Sequence, residues 1–192
     1  MKLIDGERIT QRSRLLARLN EDPCVAQAIA ALYKALREGG KVLVFGNGGS
    51  ATQASHFAAE LVNKFYIRRP ALPALALNAD TASLTSIAND DDFVRVFARQ
   101  VEAFGCPQDV ALGLTTSGRS ANVLQALTKA REIGMATVAL AGRWGDGLRA
   151  VPVDVLVSVD SDDTPTVQEM HLFVLHAMAG AIEKNLSGGN DA

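Results

Sequence analysis

Strands alternating with helices predict an α/β fold: a three-layer α/β/α sandwich on a five-stranded parallel sheet, with extra helices at the N-terminus. Three observations carry this expectation. Short apolar runs stand at residues 42–45 (VLVF), 73–77 (PALAL), 109–114 (DVALGL), 136–141 (ATVALA) and 153–159. Stretches of helical periodicity separate most of them, the pattern of a parallel sheet covered on both faces. The first run is β-branched and aromatic, as an interior strand is.

The elements follow in order. Residues 7–19 place Ile9, Leu16 and Leu19 on a helical period, which Asn20-Glu21-Asp22-Pro23 breaks. Asp22 and Pro23 supply the N-cap and first position of a second helix, striped by Val25, Ile29, Leu32 and Leu36 and ended by Gly39-Gly40. Both helices precede the first strand, so they stand outside any βαβ repeat. An apolar helix so placed packs either on another subunit or on its own sheet. After the second strand, Asn78-Ala79-Asp80 turns into a helix ending near Asn89-Asp90. A further helix over 91–104 puts Phe93, Val96, Phe97 and Val101 inward. Another ends at Ile133, where Gly134 stops it. A loop with Trp144 between glycines follows the fourth strand, and a long helix over 166–186 closes the fold before a frayed Ser187-Gly188-Gly189 tail. The reading is one domain, 1–192, with 1–40 a helical extension and 41–186 the α/β core.

Composition narrows the function. A chain of 192 residues, 48% hydrophobic and 21% charged, suits one globular core. A net charge of -2 leaves no footprint for nucleic acid. No apolar run approaches the roughly 20 residues of a membrane helix, and MKLIDGERITQRS has no apolar segment of a signal peptide. Cys24 and Cys106 make neither a disulfide framework nor a metal knuckle, and fit packing in a reducing cytoplasm.

Two turns carry chemistry. In GNGGS, Gly46, Gly48 and Gly49 allow positive φ and close approach, and Ser50 can cap the helix that follows. The free N–H groups at that helix start attract phosphate. His56 and Glu60, at i and i+4, share one face of the same helix, a candidate metal or acid–base pair. In TTSGRS, four hydroxyls (Thr115, Thr116, Ser117, Ser120) and a glycine again meet a helix start. Such groups can hold a phosphate monoester without a buried lysine; the plainer reading is N-capping by Ser117 or Ser120. Both turns stand at carboxyl ends of strands, where ligands of such sheets bind. Gln168, Glu169, His171 and His176 interrupt the largely apolar last helix.

GNGGSATQASHFAAEL, IANDDDF, TTSGRSANV and VQEMHLFVLH, in that order and spacing, resemble the phosphoheptose isomerases of the sugar isomerase (SIS) domain superfamily, over nearly the whole chain. The resemblance implies a flavodoxin-like sheet and a cytoplasmic aldose–ketose isomerase. It implies interconversion of D-sedoheptulose 7-phosphate and D-glycero-D-manno-heptose 7-phosphate for lipopolysaccharide or other glycoconjugates. It also implies a homotetramer with one Zn2+ per subunit, while charge and hydropathy speak against a nucleic-acid or membrane partner. Carried over by motif, Asn47, Gly48, Gly49, Ser50, Asn89 and Asp90 would hold substrate, with Glu60 and Gln168. Thr115, Thr116, Ser117 and Ser120 would hold its phosphate end. His56, Glu60, Gln168 and His176 would bind zinc, and Glu60 and His176 would be the acid–base pair. The chain departs from the family pattern at Lys64, Arg119 and Thr166.

Gln168 and His176 are eight residues apart, about 12 Å along one helix, so a shared metal predicts a site built from more than one subunit. A non-enzymatic alternative also follows from the superfamily, since a relative that binds the bacterial replication initiator resembles the LNADTASLTSIANDD segment. The intact His56, Glu60, Gln168 and His176 set favours the enzyme.

Overall fold

The computed structural model describes residues 5–143, 146–149, 151 and 153–187. Five parallel strands run in the order β2-β1-β3-β4-β5: β1 (Val42–Gly46), β2 (Ala74–Ala76), β3 (Val110–Thr115), β4 (Ala136–Ala141) and β5 (Val155–Ser158). β1 and β3 are buried throughout, as strands covered on both faces must be. Period-2 alternation splits them between two cores. Val42, Val44, Leu112 and Leu140 face α1 (Gly6–Glu21), α2 (Pro23–Arg37), α3 (Gly49–Val62) and the closing α8 (Thr164–Leu186). Leu43, Phe45, Ala111 and Ala139 face α4 (Thr81–Asp90), α5 (Ala98–Phe104) and α6 (Ala121–Ile133).

The N-terminal helices cover their own chain. Asp22 caps α2 through the Cys24 N–H, and Ala28 and Leu32 are fully buried in the core of Val42 and Val44. α1 lies against α8 and buries Leu15 and Leu19. Of its expected stripe, Leu19 is buried, Leu16 is half-buried against the core and Ile9 is exposed.

The helix expected over 91–104 breaks in two. Asp92 sits in extended backbone (φ -155°, ψ 144°) and caps a 3₁₀ turn, Phe93–Arg95, through the Val94 N–H. α5 starts only at Ala98. An aspartate that satisfies a first-turn N–H competes with helix continuation. Val96, Phe97 and Val101 point inward as expected, but Phe93 is 57% exposed. A one-turn helix, α7 (Asp146–Arg149), follows β4 and was not foreseen. Trp144, Gly188 and Gly189 lie outside the described residues. No helix among the described residues is long and apolar enough to cross a membrane.

His171 is completely buried on α8, and neither ring nitrogen finds a hydrogen-bond partner of normal geometry. Burial pushes its pKa down to about 4 from 6.5. The unfolded chain therefore binds a proton that the folded chain refuses as pH falls from about 6.5 to about 4, and stability drops across that window. The full loss is about 3 kcal/mol. His171→Leu, which has no proton to bind, is expected to flatten that segment of a plot of urea-unfolding free energy against pH.

Candidate active site at the switch point of the sheet

The chain leaves β1 toward β2 on one side and β3 toward β4 on the other, although β1 and β3 are neighbours. Their following loops diverge and open a crevice at the carboxyl end of the sheet. Gly46 and Leu114 stand level there, so GNGGS and TTSGRS face each other across it.

Gly48, at φ +54°, is the N-cap of α3, and no side chain caps that helix start. The N-terminus is left open to an anion. Ser50 was expected to supply the cap. It lies inside the first turn instead, buried, with its N–H donating to the Asn47 carbonyl. A hydroxyl already inside the helix is misplaced to act as N-cap, which must precede the first turn.

In the second loop, the Thr115 and Ser120 hydroxyls pair at 3.1 Å, and Thr115 Oγ1 accepts from the Gly118 N–H at 3.2 Å. Ser117 Oγ accepts from Arg119 N–H at 3.2 Å. Ser120 occupies the N-cap of α6 without making a capping bond, so the capping explanation of this hydroxyl run fails for Ser120. Thr116 is half-buried, and Ser117 and Arg119 are exposed. Gly142 and Gly147 back the loop, where a Cβ would collide with the carbonyls of Thr116 and Gly118. The two loops are locked by a reciprocal amide pair, Asn47 Nδ2 to Asn122 Oδ1 and Asn122 Nδ2 to Asn47 Oδ1, both 2.9 Å. Asn122 was given no role from the sequence, although it lies in TTSGRSANV; the signal was a polar residue in the first turn of an otherwise apolar helix face.

α3 and α8 lie side by side and run the same way. The Gln168 amide packs on Gly49, where a Cβ would strike it, and the Gln53 amide donates to the Gln168 carbonyl at 2.6 Å. Two turns further on, about 10 Å along α3, His56 and Glu60 meet His176. His56 Nε2 is 3.0 Å from His176 Nε2 and 3.0 Å from Glu60 Oε1, and His176 Nε2 is 3.6 Å from Glu60 Oε1. Three of the four expected ligands thus gather within one chain, while the amide of Gln168 lies against the start of α3. Parallel neighbouring helices explain this: residues on α3 and α8 come level in ascending order. Asn89 and Asp90 stand on the exposed last turn of α4, bonded to each other at 2.8 Å, across the sheet from α3 and α8. Of the departures, Thr166 is buried against its cap Asp163, and Lys64 is exposed.

The trio suits a divalent metal. Two imidazole nitrogens and a carboxylate oxygen are a zinc donor set, and tetrahedral sites with bonds of 2.0–2.1 Å have edges of about 3.3 Å, near the spacings found. His56, Glu60 and His176 form the one such group among the described residues. Glu60 Oε2 is buried without a hydrogen-bond partner, a cost that a bound ligand would relieve.

The sheet is doubly wound, with the two loops at its switch point, and the SIS domain family model matches residues 9–142, which makes the chain a SIS domain. The phosphoheptose isomerase of Helicobacter pylori strain P12 is 46% identical over 164 residues, 85% of each chain. That of Desulfovibrio desulfuricans is 50% identical over 176 residues, covering 88% of this chain and 83% of that one. The solved phosphoheptose isomerase of Neisseria gonorrhoeae superposes with a TM-score of 0.86 at 38% identity, over 93% of this chain and 96% of that one. That of Francisella tularensis gives 0.87 at 36% identity, with the same coverage of both chains. The chain belongs to the phosphoheptose isomerase family of SIS domains.

Proposed function

We propose that the chain interconverts D-sedoheptulose 7-phosphate and D-glycero-D-manno-heptose 7-phosphate in the cytoplasm, for the heptose of lipopolysaccharide or other glycoconjugates. It works as a homotetramer with one Zn2+ per subunit. The observation that carries the reading is the spacing along α3: an open anion site at Gly48–Gly49 and an imidazole–carboxylate cluster two turns away. A sugar phosphate gripped at one end presents its carbonyl end to the cluster.

The phosphate is held by the hydroxyls of Thr115, Thr116, Ser117 and Ser120 and by the N-terminus of α3, with Asn47 fixed by Asn122 between them. Asn89 and Asp90, on a different face, reach substrate only from a neighbouring subunit in this scheme. Glu60 takes the proton from the carbon beside the carbonyl and returns it to the adjacent carbon through an enediol. Its Oε1 faces both histidines, which holds the carboxylate beside the imidazole. His176 Nε2 passes the matching proton between the two oxygens. Bound by His56, Glu60 and His176, with Gln168 joining only from a neighbouring subunit, Zn2+ would polarise the carbonyl and offset the developing negative charge. Orientation by the remote phosphate adds to rate without touching the reacting carbons.

The replication-initiator alternative is not favoured, since curated relatives at 46% and 50% identity are named as isomerases. The deciding assay follows aldose formation from sedoheptulose 7-phosphate with and without chelator. Turnover lost on chelation and restored by Zn2+ is expected. No turnover in either condition, beside tight initiator binding, would reverse the choice.

A further inference from the structure

Glu60 and His176 reach each other from two separate helices, so their level and the tilt of the imidazole must be held by something else. The segment between α3 and β2 does this. The Phe65 ring stacks on His176, with centroids 5.4 Å apart and planes 25° from parallel, within the range of favourable ring pairs. It also lies over Gly180, one turn along α8, where an added Cβ would touch it at 3.5 Å. The Tyr66 ring lies beside it, with centroids 4.1 Å apart and planes tilted by 50°.

Phe65 is itself seated by a buried ion pair. The Glu183 carboxylate, 1% exposed, accepts from the N–H groups of Phe65 (2.6 Å), Tyr66 (2.8 Å) and Ile67 (3.0 Å). Arg69 Nε stands 3.1 Å from Glu183 Oε1. The same guanidinium donates to the carbonyls of Glu60 (2.7 Å) and Leu61 (2.7 Å), the last turn of α3. One side chain therefore ties the backbone of the base to the loop that carries the ring over the acid.

We infer that Phe65 is a positioning residue for His176, and that the Glu183–Arg69 pair is the clamp that seats it. The ring fixes the imidazole with Nε2 toward His56 and Glu60 and keeps water off one face. The inference rests on the reading of His176 as ligand and acid–base group.

The test compares Phe65→Leu, which removes the flat ring, with Phe65→Tyr, which keeps it. Three quantities are read: thermal midpoint, Zn2+ affinity of metal-stripped protein by competition with a chromogenic chelator, and kcat and KM for sedoheptulose 7-phosphate. Groups that orient a metal-binding histidine are worth about 10-fold or more in metal affinity. Phe65→Leu is expected to bind Zn2+ about 10-fold more weakly and to lose about 10-fold in kcat, with KM and melting little changed; Phe65→Tyr restores both. If Phe65→Leu does not fold, Gly180→Val lifts the ring without deleting it and carries the same expectation. A Leu variant that matches an active, zinc-binding parent overturns the role of Phe65 and leaves the site reading standing. A parent that neither binds Zn2+ nor turns over brings down the site reading, and this inference with it.

Discussion

Glu60→Gln is expected to lower kcat by about 10³-fold, within the usual contribution of a positioned general base, while KM and the melting temperature stay near the parent's. The amide keeps the shape of the side chain but cannot accept a proton from carbon. Folding is spared because Glu60 Oε2 makes no hydrogen bond in the parent, so no partner is orphaned. KM is spared because the phosphate loops stand about two helical turns, roughly 10 Å, from the substitution. A fall in kcat and kcat/KM together marks an interaction made only in the transition state. His56→Ala is the companion control: His56 has no assigned proton step, so excess Zn2+ recovers part of its activity and none of that of Glu60→Gln. Retention of more than a tenth of parental kcat by Glu60→Gln would mean that another group takes the proton.

The sheet and its loops are legible in the sequence because their signals are local. VLVF before GNGGS and DVALGL before TTSGRS each join an apolar run to a turn that few other structures need, and both turns flank the crevice as read. What escaped was set by tertiary contacts. The phase of α1 depends on which side α8 occupies, so Leu15 is buried more deeply than Leu16 and Ile9 is left exposed. Asp92 could continue a helix or cap a new turn, and the cap it makes to the Val94 N–H goes with a turn packed on α4 and α6. In the site, Gln168 and His176 looked too far apart for one metal, and they are; the rise of α8 carries Gln168 to the start of α3 and His176 to its middle. His56 and Glu60 reach His176 from α3 of the same chain, so the expectation of a site shared between subunits now bears on Gln168 alone. Phe65, Arg69 and Glu183 lie in no motif, and Asn122 lies in TTSGRSANV with no sign of its role. Each matters through a partner 75 or more residues away, visible only once the fold exists.

Glu183→Ala is expected to destabilise the chain by about 3–5 kcal/mol at pH 7, the usual cost of removing one partner of a buried ion pair. For a chain of this size that lowers the melting temperature by about 10 °C. The loss has two parts. Arg69, only 6% exposed at its side chain, keeps its charge without a counter-ion, and the N–H groups of Phe65, Tyr66 and Ile67 lose their shared acceptor. Replacing both partners, Glu183→Met with Arg69→Met, removes the first part but not the second, so the double variant should recover only some of the stability. The pH dependence separates the parts further. Burial alone would push the Glu183 carboxyl up, but the three N–H donors and Arg69 outweigh it and hold it below its ordinary 4.5. Its contribution is therefore complete above the unfolded value and is lost as pH falls through the folded one. The gap between parent and Glu183→Ala in urea unfolding should be widest at neutral pH and narrow in acid. A gap that stayed constant down to pH 3 would mean that the side chain acts through packing, and that the carboxylate does not hold the loop.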